Sequence, residues 1–331
     1  MRALRICLRT RCLACLWALA WLFALTSQSS GQQLVDPGTL AGHGCLGEAS
    51  GELAEPNCDQ RSIHELARSG HAYAQNQMGI ESALVLGRGR TIGDARKWFE
   101  KAARQGYAPA EVNLAVLYLE GWGIAQNYGA ALYWLREAAA KGNARALTNL
   151  GILYLNGWGV PRDYNEALRN FRAAAEHGDT GAMVNLGYMS DGGLGIVQDQ
   201  TAAATWYRQA ADRRDPLGQN NLADLYLRGE GVEQSDTLAF EWFQKAAKQG
   251  QTSACIKLGF LYMTGRGAPR DLESAYAWIQ AASLAGDARG QEYLTALEKQ
   301  LTREQLARAT EKAQALRDAA GGAAAEMAFV R

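Results

Sequence analysis

Asn127-Tyr-Gly-Ala-Ala131-Leu-Tyr-Trp134-Leu-Arg-Glu-Ala138-Ala-Ala-Lys-Gly142 reads as one capped helix, and its marks return along the chain in steps of 36. From Ala131 the step finds Ala95, Ala167, Ala203, Ala239 and Ala275; from Ala138 it finds Ala102, Ala174, Ala210, Ala246 and Ala282. From Trp134 it finds Trp98, Trp206, Trp242 and Trp278, with Asn170 as the exception. Small residues at fixed helical spacing let backbones approach, and Trp fills the wider gaps, so these columns are a packing code. Self-similarity at a fixed period is the mark of a repeat architecture.

The punctuation keeps the same register. Gly70, Gly106, Gly142, Gly178, Gly250 and Gly286 share a column broken only by Arg214, where a left-handed residue ends a helix. Thr91, Asn127, Asp163, Asp199, Ser235 and Asp271 form a column of N-cap residues. Gly-x-Gly turns stand between the helices of each pair, as at Gly121/Gly123 and Gly157/Gly159. A further small-residue column runs Ala74, Ala110, Ala146, Ala182, Gly218, Ala254 and Gly290. Each unit is therefore a helix A (109–120, for example), a glycine turn and a helix B (129–141). The expectation is an all-α fold, an α/α solenoid or superhelix of 36-residue helix-turn-helix repeats from about His71 to Gly286. Such an array leaves no room for a globular catalytic domain within it.

The segments Ala146-Leu-Thr-Asn-Leu-Gly151, Gly157-Trp-Gly-Val-Pro161 and Trp242-Phe-Gln-Lys-Ala-Ala247 resemble the SEL-one-like repeat family, relatives of the tetratricopeptide repeat. The resemblance implies a solenoid that recruits other proteins or cell-envelope components, usually without chemistry of its own, with helix A lining the concave side. Some Cys-rich relatives are associated with penicillin binding or β-lactamase activity.

Around the repeats, residues 1–28 read as a secretory signal: Arg2, Arg5, Arg9 and Arg11, an apolar run from Cys12 to Leu25, then small polar residues. The apolar run is short for a stable span, so no membrane segment is expected after cleavage, although an uncleaved anchor is the alternative. The expected location is periplasmic or secreted. Residues 29–60 read as mostly irregular, 61–317 as the solenoid with capping helices, and 318–331 as a disordered tail. Thr302-Arg-Glu-Gln305 is a capping box opening a last helix to about Arg317, with Leu306, Ala309, Ala313 and Leu316 on its inner face. In an oxidising compartment Cys45 and Cys58 are a candidate disulfide, and a zinc site with His43 and His64 is the weaker reading. Cys255 reads as a small apolar residue on a helix.

Lys+Arg and Asp+Glu are equal at 34 each, and setting aside the four leader arginines leaves 30 against 34. A mildly acidic chain lacks the basic stripe that a phosphate backbone needs, so nucleic acid is not an expected partner. There is no H-E-x-x-H, no phosphate-binding G-x-x-x-x-G-K-[ST] and no G-x-S-x-G elbow. No serine is followed three residues on by Lys, which argues against the β-lactamase-like alternative. No catalytic residue, cofactor or metal is expected.

The expected function is an exported adaptor binding a protein or envelope component; the alternatives are an envelope hydrolase and a structural subunit of an envelope assembly. Two columns on helix A are candidates for the contact. Asn113, Asn149, Asn185 and Asn221, continued by Lys257, carry amides that either clamp an extended peptide or hold neighbouring units in register. Val116, Ile152, Tyr188, Asp224 and Phe260 vary from copy to copy, as a surface reading different parts of one ligand would. Trp122 and Trp158, in the turns, either form an exposed aromatic patch or pack beneath the next turn. The unit carrying Asn170, Ser190 (in place of Tyr118, Tyr154, Tyr226 and Tyr262) and Arg214 departs from its siblings.

Overall fold

The structure, a computed structural model, describes residues 60–84 and 92–330, and among these residues it is helical throughout, with no strand. B helices are α1 (Gln60–Ser69), α3 (Ile92–Ala103), α5 (Tyr128–Ala140), α7 (Tyr164–Glu176), α9 (Gln200–Asp212), α11 (Asp236–Lys248) and α13 (Leu272–Leu284). A helices are α2 (Ala72–Leu84), α4 (Ala108–Glu120), α6 (Ala144–Asn156), α8 (Thr180–Gly192), α10 (Pro216–Arg228) and α12 (Thr252–Thr264). A 3-10 turn (Ala288–Gly290), α14 (Gln291–Glu298) and α15 (Arg303–Val330) follow. The chain is an all-α solenoid of 36-residue helical pairs. The described residues fall into two compact units, 60–206 and 207–330, each taken by itself below.

Every residue of both unbroken Ala columns is fully buried, as is every Ala of the third column. Caps hold the start of the B helices from α5 to α13: Asn127 Oδ1 accepts from Ala130 N, Asp163 from Asn165 N and Glu166 N, Asp199 from Ala202 N, Ser235 Oγ from Leu238 N, and Asp271 from Ser274 N. Thr91 lies outside the described residues. From α4 to α12 each A helix ends in a glycine at positive φ, and the second glycine of the turn faces a wall. A Cβ on Gly159 (φ +71°) would meet the Tyr128 Cβ at 2.5 Å. Both the backbone angle and the close approach exclude a side chain there.

The Trp column is a correction in detail. Trp98, Trp134, Trp206 and Trp242 are only half-buried, whereas Trp278 is buried as read, and the core of the other units is filled by the next residue, at Phe99, Leu135, Phe171, Tyr207 and Phe243. The Trp faces serve a different end, since Lys101 Nζ lies 4.5 Å from the Trp98 ring and Lys245 Nζ 3.6 Å from that of Trp242.

At the end of the chain the capping box forms as expected, with Gln305 N donating to Thr302 Oγ1 and Thr302 N to Gln305 Oε1. Ala309 and Ala313 are buried and α15 packs along α13, tied by the Arg308 guanidinium on both oxygens of Glu273. Here α15 runs to Val330, past Arg317, where the sequence suggests an irregular tail. The segment is rich in alanine, the strongest helix former, and the pair Gly321 and Gly322 does not break it.

Candidate functional site

In some units a polar relay ties a B helix to the A helix that follows it, whereas the same position is apolar in others, at Leu147 and Met183. Gln75 Nε2 donates to the Ala67 carbonyl while Gln105 Nε2 donates to Gln75 Oε1 at 2.8 Å. Four repeats on, Gln219 donates to Ala211 and Gln249 to Gln219 at 2.7 Å. One repeat after Gln75, the same two positions hold an ion pair, Lys141 with Glu111, whose side chain is 2 % exposed. The column also contains Cys255, whose buried thiol points at the Ala247 carbonyl at 3.7 Å and is pushed up to about 12 by burial. That environment suits a packed neutral thiol, as read from the sequence.

The turn residues pair in the same manner. Trp158 stacks on Tyr128, with ring centroids 6.1 Å apart, and Arg266 makes a bidentate pair with Asp236 at 2.6 and 2.9 Å. Trp122 and Trp158 both pack on the cores of their units, so the two tryptophans are structural. Position by position, these pairs exchange stacking for charge while keeping one contact.

The amide column divides. Asn113 is 2 % exposed, and its Nδ2 donates to Asn76 Oδ1 on the preceding A helix at 2.9 Å, a tie between units. Asn149 is buried. Asn185 donates to the Gly181 carbonyl of its own helix at 2.8 Å, and Asn221 accepts from Asn220 Nδ2. The register-holding alternative therefore describes Asn113, and a buried Asn113 and Asn149 have no free edge for a peptide. Close packing of successive A helices is the physical reason.

The varied column divides as well. Val116 is 1 % exposed and lies in the wall of the core, so it is withdrawn as a contact residue. Ile152 is half-buried against the cluster around Phe171. Tyr188 stands 42 % exposed on α8. In the other unit, Asp224 is paired with Lys257, whose Nζ also reaches Asn220 Oδ1 at 3.3 Å. Phe260 on α12 meets Tyr293 on α14, with centroids 6.1 Å apart and planes at 59°. Tyr293 is exposed and was not singled out in the sequence, because α14 lies beyond the last full repeat.

Several buried polar groups have no partner. Arg145 is held down to about 10 by burial, with the Asp179 carboxylate opposing, and its Nη2 is unpaired. Glu120 is half-buried, burial raises its carboxyl above the usual range, and Asn156 Oδ1 is buried without a donor. His64 Nε2 lies 3.1 Å from Glu81 Oε2, His71 and His177 are exposed, and no cluster of metal-binding side chains is found among the described residues. Cys45, Cys58 and His43 lie outside the described residues, as does the leader. Among the described residues no helix is long and apolar enough to cross a membrane.

The Sel1 repeat family model matches six consecutive segments, 72–107, 108–143, 144–179, 180–215, 216–251 and 252–287. This chain belongs to the Sel1 repeat family. The segment bounds coincide with the A-to-B pairs described above. A Sel1 repeat protein from Oxalobacter formigenes is 31 % identical over 69 % of this chain and 92 % of its own, with a TM-score of 0.61. A protective antigen of uropathogenic Escherichia coli with an SLR fold is 27 % identical, covering 82 % of this chain and 66 % of its own, at a TM-score of 0.44. A Sel1 repeat protein from Klebsiella pneumoniae is 23 % identical over 61 % of this chain and 99 % of its own, at 0.44. No curated protein matches. Sel1 repeats are typically protein-interaction scaffolds rather than catalysts.

Proposed function

We propose that this Sel1 repeat chain is an exported adaptor that binds a protein or envelope partner on the open side of its A helices. The observation that carries this reading is where the aromatics go. In the unit holding Ser190 in place of the usual Tyr, a tyrosine appears two residues earlier, at Tyr188, on the other side of α8 and 42 % exposed. Two residues turn a helix by about 200°, so an aromatic has moved from the packing side to the open side. In the second unit Phe260, at the equivalent register position of its own A helix, pairs with the exposed Tyr293. Exposed, rigid aromatics are the groups that anchor protein interfaces. The Arg-rich leader and apolar run support export.

The test is quantitative recovery of bound proteins from envelope extracts with Tyr188→Ala, with Phe260→Ala/Tyr293→Ala and, on a B helix, with Tyr133→Ala, whose side chain is 56 % exposed. Loss of one partner with either A-helix variant and its retention with Tyr133→Ala supports the reading. Unchanged recovery with both A-helix variants overturns it.

A further inference from the structure

The helix that closes the second unit, α15, stands outside the packing code of the repeats. A step of 36 from the fully buried Ala275 and Ala282 lands on Glu311 and Asp318, both exposed. The residues that α15 turns inward are instead Ala309 and Ala313, which are buried, and Leu306 and Leu316, which are only half-buried. Most of the cluster beneath belongs to other helices, to Ala275, Tyr276 and Ile279 of α13 and to Leu294 and Leu297 of α14. Two alanine methyls bring little apolar area, so burial holds this helix weakly.

Charge supplies the remainder. α13 and its cap carry Asp271 and Glu273 and no base. Arg308 of α15 donates to both Glu273 oxygens, at 2.6 and 3.1 Å. Lys312, one turn on, donates to Ser274 Oγ at 2.8 Å, and that hydroxyl donates to Asp271. Both cations are exposed to solvent. The Arg308 guanidinium holds the Glu273 carboxyl below its ordinary 4.5. Burial works against the Asp271 charge, but the Ser274 hydroxyl and N–H, Lys312 and the Glu273 N–H together hold its carboxyl below 3.8. The other ionisable groups around the contact are Glu304 beside Arg308, Tyr262 of α12 beside Asp271, and Glu298 of α14, which accepts from Tyr276 at 3.5 Å. Arg270, in the turn before α13, is committed to the Met263 carbonyl and to Gln300.

We propose that α15 is a latched cap: Arg308 and Lys312 hold it on α13, and acid or salt shifts it toward release, uncovering Tyr276, Ile279, Leu294 and Leu297. A carboxylate held low only while α15 is docked favours the docked state at neutral pH. That preference starts to fade as pH drops past about 5 and continues to fall below the ordinary carboxylate values. Salt acts at neutral pH, because exposed pairs are screened. A helix held in this way opens locally while the rest of the fold stays closed.

The experiment is hydrogen exchange of the whole chain, resolved to peptides by mass spectrometry and corrected for intrinsic rates, at about pH 7 in about 0.05 M and about 0.5 M salt and at about pH 4 in the lower salt. Protection across 303–318 is expected to fall about three- to tenfold in salt, and likewise in acid, as suits exposed pairs of modest strength. Protection of α6, which carries no acidic side chain, should stay constant. Glu273→Gln/Lys312→Met should start at the lower protection and respond to neither condition. Glu273→Gln alone should keep part of the response, and Arg317→Met, whose guanidinium pairs with Asp318 of its own helix, all of it. Protection of 303–318 that salt and acid leave unmoved, or that moves as much in the folded double variant, overturns the proposal. An undiminished response of Glu273→Gln does so even if the double variant does not fold. Equal loss in α6 assigns the effect to the whole fold and overturns it as well.

Discussion

Gly151 lies under the ring of Phe171 so closely that a Cβ at 151 would stand 2.5 Å from Phe171 Cε1 and 2.6 Å from Cδ1. Gly79 and Phe99 repeat the relationship two units earlier, at 2.4 and 2.5 Å. Between them the pair is Ala115 and Leu135, in which a smaller side chain faces a residue that has a Cβ. In these three units the two positions are matched in volume, although Ala223 and the buried Phe243 keep no such match in a later one. Gly151→Ala should therefore cost about 1–3 kcal/mol through overpacking. Adding Phe171→Leu should recover part of that loss, because it recreates the Ala115 and Leu135 pair. Urea unfolding of the single and double variants checks this, and additive losses would show that the two positions are not coupled.

The Lys141 and Glu111 pair should behave as an exchangeable module. Glu111 is buried, and one of its oxygens has no partner besides, so removing the lysine strands a charge. Lys141→Met is expected to destabilise by about 1–3 kcal/mol, below the usual cost for a fully buried pair because Lys141 is itself partly exposed. The double variant Glu111→Gln/Lys141→Gln copies the Gln75 and Gln105 relay and should return most of the stability. Thermal melts of wild type, single and double variants decide it. A double variant no better than Lys141→Met would mean that the relay depends on more than these two side chains.

The columns legible from sequence were those with one physical solution. A fully buried Ala at 95 or 131 has nothing else that fits, and Gly157 or Gly159 needs a positive φ, so the register and the pairing of helices could be read directly. Columns with several solutions were opaque. The positions of Gln75 and Glu111 look unrelated until the facing residue 30 positions on is known. The large Trp side chains drew attention away from Phe99 and Phe171, because size signals burial only when the opposite wall is known, and here that wall is Gly79 and Gly151. The helical side carrying Asn113 and Val116 reads from sequence as facing away from the core, and both residues are buried. Its accessibility depends on how closely A helices approach, which no single helix reveals.

Arg214 is the one non-glycine residue at positive φ among the described residues, at +65°, in the column where Gly178 and Gly250 have +84° and +87°. Its side chain is exposed and its N–H bonds the Ala211 carbonyl at 2.9 Å, as a glycine there would. The left-handed region costs a residue with a Cβ about 1 kcal/mol, offset in part by the greater freedom of unfolded glycine. Arg214→Gly is expected to stabilise the chain by about 0.5 kcal/mol, read as a higher urea midpoint with unchanged slope. A lower midpoint would show that the arginine side chain holds a contact worth more than the strain.

Glu120 yields a prediction whose sign runs against the usual behaviour of carboxylates. Burial raises its carboxyl above the ordinary value of 4.5, so the folded chain holds this proton to higher pH than the unfolded chain does. Stability then falls as pH rises from the unfolded value to the folded one, and the loss persists at neutral pH. Glu120→Gln has no proton to lose and escapes it. The variant should melt higher than wild type at pH 7, and the two curves should converge below about pH 4, where the Glu120 carboxyl is protonated in the folded and the unfolded chain alike. A lower melting temperature for Glu120→Gln at pH 7 would show that the carboxylate is already compensated within the chain. A higher one means that this position gives up stability for a charge the fold does not use.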